Sequence, residues 1–199
     1  GALAVPSRAV IPELGGKKVF VVGGANSAGQ GAMYLSRFAG EVTVLIRGES
    51  LQASMSQYLI DQIEATTNIT LMPFTEVTAM KGGDSLEELT LTNNQSGDSQ
   101  SVAADAVFLF IGAVPHTSIF SEVVELDEAG FVYTGQDLRR DGRRPKGWAL
   151  QRDPFLLETS VPGIFAAGDV RHGVIRRVAS AVGQGAVAVS MVHKYLETV

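Results

Sequence analysis

The chain has 199 residues, a formal net charge of −5 and 45% apolar residues, enough for one large domain or two small ones with a sizeable core. It contains no cysteine, which excludes disulfides, thiolate metal sites, a cysteine nucleophile and a redox dithiol within these residues. The acidic balance argues against a nucleic-acid-binding surface, no apolar run is long enough for a bilayer, and no basic-then-apolar leader opens the sequence; a cytoplasmic protein is the expectation.

Residues 1–16 read as a linker, with Pro6, Pro12 and a Gly15-Gly16 stop. KKVFVVGG follows, a β-branched apolar run closed by glycine, and predicts a buried parallel strand. Residues 27–38 suit a helix, with Ala28, Ala32, Leu35 and Phe38 near one face. EVTVLIRG predicts a second strand, so the first segment forms a right-handed βαβ unit. Residues 51–68 predict a second helix, with Met55, Leu59 and Ile63 on one face and Asn68 as its stop. A third strand opens at Ile69. SLEELTLTNNQSGDSQSVAADAVFLFIG then predicts an antiparallel excursion that returns as a buried strand. The fold class expected is α/β, an open nucleotide-binding domain with a β-meander insertion over residues 17–112. After Pro115 the texture changes. VELDEAGFVYTG predicts a short strand with a turn, and RRDGRRPKGWALQRD a solvated, mobile basic loop. ETSVPGIFAAGDV predicts a turn and a short apolar strand. RRVASAVGQGAVAVSMVHKYL predicts a long helix with Ala181, Gly185, Ala188 and Val192 on its packing face.

The VVGGANSAGQGA stretch carries the chemistry. A strand, Gly23, a turn and a helix opening near Ser27 is the Rossmann arrangement, in which helix N–H groups meet a pyrophosphate. Gly23 and Gly24 form the turn, and Ala28 is small enough for close helix–strand packing. Ala25 replaces the middle glycine of G-x-G-x-x-G/A, where a missing side chain lets backbone approach phosphate. At the end of the second strand stands Arg47, which favours the 2′-phosphate of NADP(H) over NAD(H), with Glu49 two residues on; a solvated strand-end charge is the alternative reading of Arg47. The same letters admit a serine elbow around Ser27, with Asp169 and His193 following in chain order. Against it, only one clear strand precedes Ser27.

KKVFVVGGANSAGQGAMYLSRFAGEVTVLIRG, FLFIGAVPHT and GIFAAGDVRHGVIRRVASAVGQGAVAV together resemble the thioredoxin reductase family of pyridine-nucleotide-dependent flavoprotein reductases. The resemblance covers nearly all of the chain after residue 16. It implies that Gly23, Gly24, Ala25, Asn26, Ser27 and Ala28 lie against NADPH, that Arg47 reads its 2′-phosphate, and that Gly112 marks the crossing into a flavin domain. It implies that Gly168 and Asp169 meet the ribityl chain of FAD. Arg177, Val178 and Ala179 would open a helix toward the flavin pyrimidine edge, where N–H groups stabilise negative charge. Residues 113–199 would then be the C-terminal segment of an FAD-binding domain. From the residues alone, Asp169 reads equally as a helix N-cap.

The chain departs from the family pattern at several points. Gly48 and Gln52 stand where further 2′-phosphate arginines are expected, and the redox dithiol is missing. The family's flavin domain is discontinuous, and nothing in residues 1–16 replaces its N-terminal half. The expectation is therefore an oxidoreductase fragment that uses FAD and NADP(H), partnered by the missing half or a fused regulatory domain, its exposed apolar edges covered by homodimerisation or by docking of the flavin-domain remnant onto the nucleotide domain. A non-catalytic nucleotide-binding module is the alternative. His116, His172 and His193 show no metal-ligand spacing. Trp148 reads as a packing anchor, while Arg171 and Arg176 read either as flanking the flavin or as solvated.

Overall fold

A computed structural model describes residues 14–139 and 141–198. The expected linker lies outside the described residues except for its last three, and Arg140 of the basic loop lies outside them too. The chain divides into two compact units, one ending at Gly112 and the other beginning at Ala113.

In the first unit, β1 (Lys18–Val22), β2 (Glu41–Leu45), β3 (Ile69–Met72) and β7 (Ala106–Leu109) form a parallel sheet in the order β3-β2-β1-β7. Val19 pairs with Val42 on one side and Ala106 on the other, which makes β1 a central strand. Side chains alternate across the sheet, and each face is buried by a different layer. Val19, Val21, Val42 and Val44 pack with α1 (Asn26–Leu35) and α2 (Gln57–Glu64). Phe20 and Leu45 pack on the other face against Leu89, Leu91 and Ala104. Those residues come from, or flank, an antiparallel meander of β4 (Thr75–Gly82), β5 (Leu86–Asn93) and β6 (Ser99–Ala103). Helices, parallel sheet and meander make three layers, the α/β domain with a β-meander insertion that the sequence predicts.

Among the described residues, packing of this unit begins at Leu14, a buried member of the helix-side core, two residues before the expected end of the linker. α1 stops at Leu35, and Phe38, expected on its apolar face, is exposed. α2 is much shorter than the 51–68 expected: it starts after Ser56 and ends at Glu64. Ser54 and Ser56 make long-range hydrogen bonds to the β1–α1 turn, and such side-chain bonds compete with helix formation. Asn68 is no helix stop. Its Nδ2 donates to Ser36 O at 2.9 Å and Ala39 O at 3.2 Å, closing the end of α1.

The second unit has one long helix, α3 (Val178–Leu196), and loops joined by isolated bridges, Leu126 with Val132, Val132 with Arg171 and Glu158 with Phe165. The two strands expected here shrink to these bridges because no neighbouring strands build a ladder. α3 is apolar around most of its circumference yet has no buried residue. Ala181, Gln184, Gly185, Ala188, Met191 and Tyr195 are half-covered, so Val192 does not belong to the packing stripe. Val178, Val182, Val189 and Leu196 form a second, exposed stripe; Val182 is 68% exposed.

Outside Arg140, the mostly exposed basic loop is braced by ion pairs and hydrogen bonds. Arg139 and Arg144 both pair with Asp153, at 3.2 and 2.7 Å, and Arg144 also donates to Leu150 O and Gln151 O. Trp148 anchors it, donating Nε1–H to Arg152 O at 2.7 Å. Arg152 in turn grips the fully buried Glu158 through both terminal nitrogens, at 2.6 and 2.9 Å, and stacks 3.9 Å from the Phe155 ring centre. Glu158 also accepts from the N–H groups of Phe155 and Gly163. Burial works to raise its pKa, but the Arg152 hydrogen bond and these two N–H groups outweigh it and hold the carboxylate below its ordinary range.

Candidate functional site

The β1–α1 turn is built around Gly23. Its φ of 141° is a conformation that residues with a side chain rarely adopt. Its N–H donates to Leu45 O at 3.0 Å, tying the turn to the end of β2. A Cβ here would lie 2.6 Å from Phe110 O and 3.3 Å from the Ala28 Cβ. Both backbone angle and space therefore require glycine. Gly24 O accepts from Ser54 Oγ at 2.9 Å. Ala25 is the N-cap of α1, with extended backbone and no side-chain cap. The Asn26 carboxamide oxygen accepts from Ser56 N at 2.8 Å and Ser56 Oγ at 2.7 Å, bracing α2 rather than capping α1. The N–H groups of Ala28 and Gly29 donate to Ala25 O at 2.9 and 3.2 Å, which leaves those of Asn26 and Ser27, among the described residues, for an anion.

Ala28 is fully buried. Behind it, Gly29 and Gly31 clear space that sequence reasoning did not single out. A Cβ at Gly29 would lie 2.8 Å from Met55 Sδ, and one at Gly31 2.7 Å from the Phe110 ring. The small-residue run AGQGA was the available signal. Ser27 lies in the first turn of α1 directly after the first strand, and all three histidines fall beyond residue 112, in the other unit. The serine-elbow reading thus finds no base in the unit that holds Ser27.

Arg47 stands just past β2 with its side chain 82% exposed. Its carbonyl accepts from Asn94 Nδ2 at 3.0 Å, and its Nε is 4.0 Å from Glu76 Oε1. Neither partner is visible in local sequence, since both arrive through the meander. Gly112 has a φ of 86° with open space where a Cβ would be, at the end of the unit.

In the second unit, Gly168 has a φ of 79° and lies close to α3: a Cβ would be 3.4 Å from that of Ala181. Its N–H donates to Gln184 Oε1 at 2.8 Å. Asp169 sits in the 3-10 turn Gly168–Val170, and among the described residues its carboxylate has no hydrogen-bond or ionic partner. It is not the N-cap of α3, as the alternative expected; that position is Arg177. The start of α3 has no side-chain cap and no acidic residue in its first turn, with Val178 and Ala179 exposed. This end of the helix and the Asp169 carboxylate offer donors and an acceptor respectively to a polar ligand.

Arg171 and Arg176 are not simply solvated. Arg171 is buried, its Nε donating to Thr134 Oγ1 at 2.7 Å, and Arg176 lies 4.1 Å over the Phe131 ring. His172 Nδ1 is 2.6 Å from Asp127 Oδ2, while His116 is an exposed loop residue. Burial tends to raise the Asp127 pKa, but the His172 contact and the N–H groups of Phe131 and Ala129 bring it below the usual value.

The sequence matches the family described as pyridine nucleotide-disulphide oxidoreductase over residues 5–185. A thioredoxin reductase of Coxiella burnetii is 31% identical over 185 residues, covering 92% of this chain and 53% of that relative. A protein of Clostridium pasteurianum, described as a 34.2 kDa protein in the rubredoxin operon, is 30% identical over 181 residues, 91% of this chain and 52% of its own. The crystal structure of thioredoxin reductase from Streptococcus pyogenes superposes with a TM-score of 0.64 at 29% identity, covering 96% of this chain and 56% of that one. The chain thus spans about half the length of the curated relatives it matches. With the Gly23 turn, the parallel sheet and the family match agreeing, this chain belongs to the pyridine nucleotide-disulphide oxidoreductase family.

Proposed function

We propose that this chain is the nucleotide-binding domain and C-terminal flavin-domain segment of an NAD(P)H-dependent, thioredoxin reductase-like flavoprotein in the cytoplasm. The observation that carries it is the Gly23 turn, with its uncapped α1 N-terminus, in a member of this family. Residues 17–112 hold NADP(H). The backbone of Gly23, Gly24 and Ala25 and the N–H groups of Asn26 and Ser27 cradle the pyrophosphate, the small Ala28 packs close behind them, and Arg47 meets the adenosine 2′-phosphate. Gly112 ends this domain. Residues 113–199 hold part of FAD. Asp169 accepts from the ribityl hydroxyls, Gly168 lets that turn lie close to α3, and Arg177, Val178 and Ala179 point the helix N-terminus at the flavin. The bound cofactors supply the hydride transfer; the protein contributes position and electrostatics.

Electrons leave to an acceptor outside these residues, because no cysteine is present to take them. The same fact favours the second reading, a nucleotide-binding module without turnover. The exposed apolar stripe of α3 supports a flavin domain completed by further polypeptide, or self-association of the isolated chain as a homodimer. Spectra of the purified chain with FAD, before and after anaerobic NADPH, test this function. Weak FAD binding beside saturable NADPH binding is expected. Tight, stoichiometric FAD without further polypeptide overturns the incomplete flavin site, and failure to bind either cofactor overturns both readings.

A further inference from the structure

We infer that Glu76 is a nucleotide-selectivity residue that opposes Arg47, so that the site accepts NADH as well as NADPH. The inference rests on the proposed nucleotide-binding role of the β1–α1 turn. Glu76 lies 29 positions from Arg47 in sequence, yet its Oε1 is 4.0 Å from the Arg47 Nε, with the two side chains 44% and 82% exposed. Two backbone hydrogen bonds and one from a side chain bring the two residues' segments together. Ile46 O accepts from Thr75 N at 2.9 Å, Gly48 O from Phe74 N at 3.1 Å, and Arg47 O from Asn94 Nδ2 at 3.0 Å. Phe74 holds a positive φ of 52°, rare for a side chain of its size, and Asn94 N donates to its carbonyl at 2.8 Å. Three pins and an unusual turn thus carry β4 to the end of β2 and place its second residue beside the arginine.

A Rossmann site that selects NAD places a carboxylate at the end of the second strand to accept from the ribose hydroxyls; one that selects NADP omits it and supplies arginine. Here the arginine comes from β2 and the carboxylate from β4. Against the 2′-phosphate, Glu76 competes for the guanidinium and adds like-charge repulsion. Toward a 2′-hydroxyl it is an acceptor without repulsion. No further arginine reinforces Arg47, since Gly48 and Gln52 occupy the neighbouring positions.

The test is equilibrium titration of the whole chain with NADPH and with NADH, for the unaltered protein, Glu76→Gln and Glu49→Gln, with thermal melts confirming the fold. Both nucleotides bind the unaltered chain. Glu76→Gln tightens NADPH about two- to fivefold, the size expected of an exposed charge pair, and weakens NADH, shifting their ratio by about fourfold or more. An unchanged ratio in folded Glu76→Gln overturns the inference while leaving the nucleotide site standing. A shift seen in Glu49→Gln alone also overturns it, and assigns selectivity to Glu49. Failure of either nucleotide to bind the unaltered chain defeats the site itself and this inference with it.

Discussion

Gly23 joins two demands at one position: a backbone angle that excludes side chains and a carbonyl, Phe110 O, 2.6 Å from where a Cβ would sit. Gly23→Ala is expected to cost about 1–3 kcal/mol in thermal or denaturant unfolding and to lose nucleotide binding. Ala25 acts in the opposite sense. Its backbone is ordinary extended, open to alanine and glycine alike, and in the proposed site its methyl lies where backbone would approach phosphate. Ala25→Gly is expected to tighten NADPH several-fold by titration while leaving the melting temperature within about a degree or two, since glycine is at least as good an N-cap as alanine. In the second unit, Glu158 has a lowered pKa, so the sign follows directly. Its ionised form stabilises the fold above the ordinary glutamate value of 4.5, and that contribution is lost as pH falls through the lower folded value. Glu158→Gln removes one partner of a buried pair and is expected to cost about 3–5 kcal/mol at neutral pH, with a flatter acid limb in melts followed by circular dichroism.

At the scale of elements, α3 exposes an apolar stripe through Val178, Val182, Val189 and Leu196. Replacing Val182 and Val189 with Ser is expected to shift the isolated chain toward monomer in light scattering without loss of helicity beyond a few per cent. The helical period of α3 was legible in the sequence, but which stripe packs was not, because most of its circumference is apolar. β1, α1 and β2 were legible because a β-branched run, a glycine turn and small residues at helical spacing agree locally. The start of α2 was not: Ser54 and Ser56 bond to Gly24 and Asn26, thirty residues earlier. The Glu76 carboxylate beside Arg47 and the Arg152–Glu158 pair were hidden for the same reason, since tertiary contacts create them. The turn glycine was readable because its constraint is local.

At the scale of the whole molecule, two units carry two halves of one proposed chemistry. The first holds a four-stranded parallel sheet covered on both faces, with the Gly23 turn at one strand end. The second has bridges instead of a sheet and a helix without a buried residue. Nucleotide binding should therefore persist in the isolated chain, whereas flavin binding should require more polypeptide. The central claim is that the Gly23 turn holds a nicotinamide dinucleotide. It is tested most directly by titrating the folded chain with NADPH and following nicotinamide fluorescence, with 2′-AMP as competitor. Saturable binding displaced by 2′-AMP and lost in Gly23→Ala is the predicted result; no saturable signal from a chain shown to be folded by its melt would contradict it.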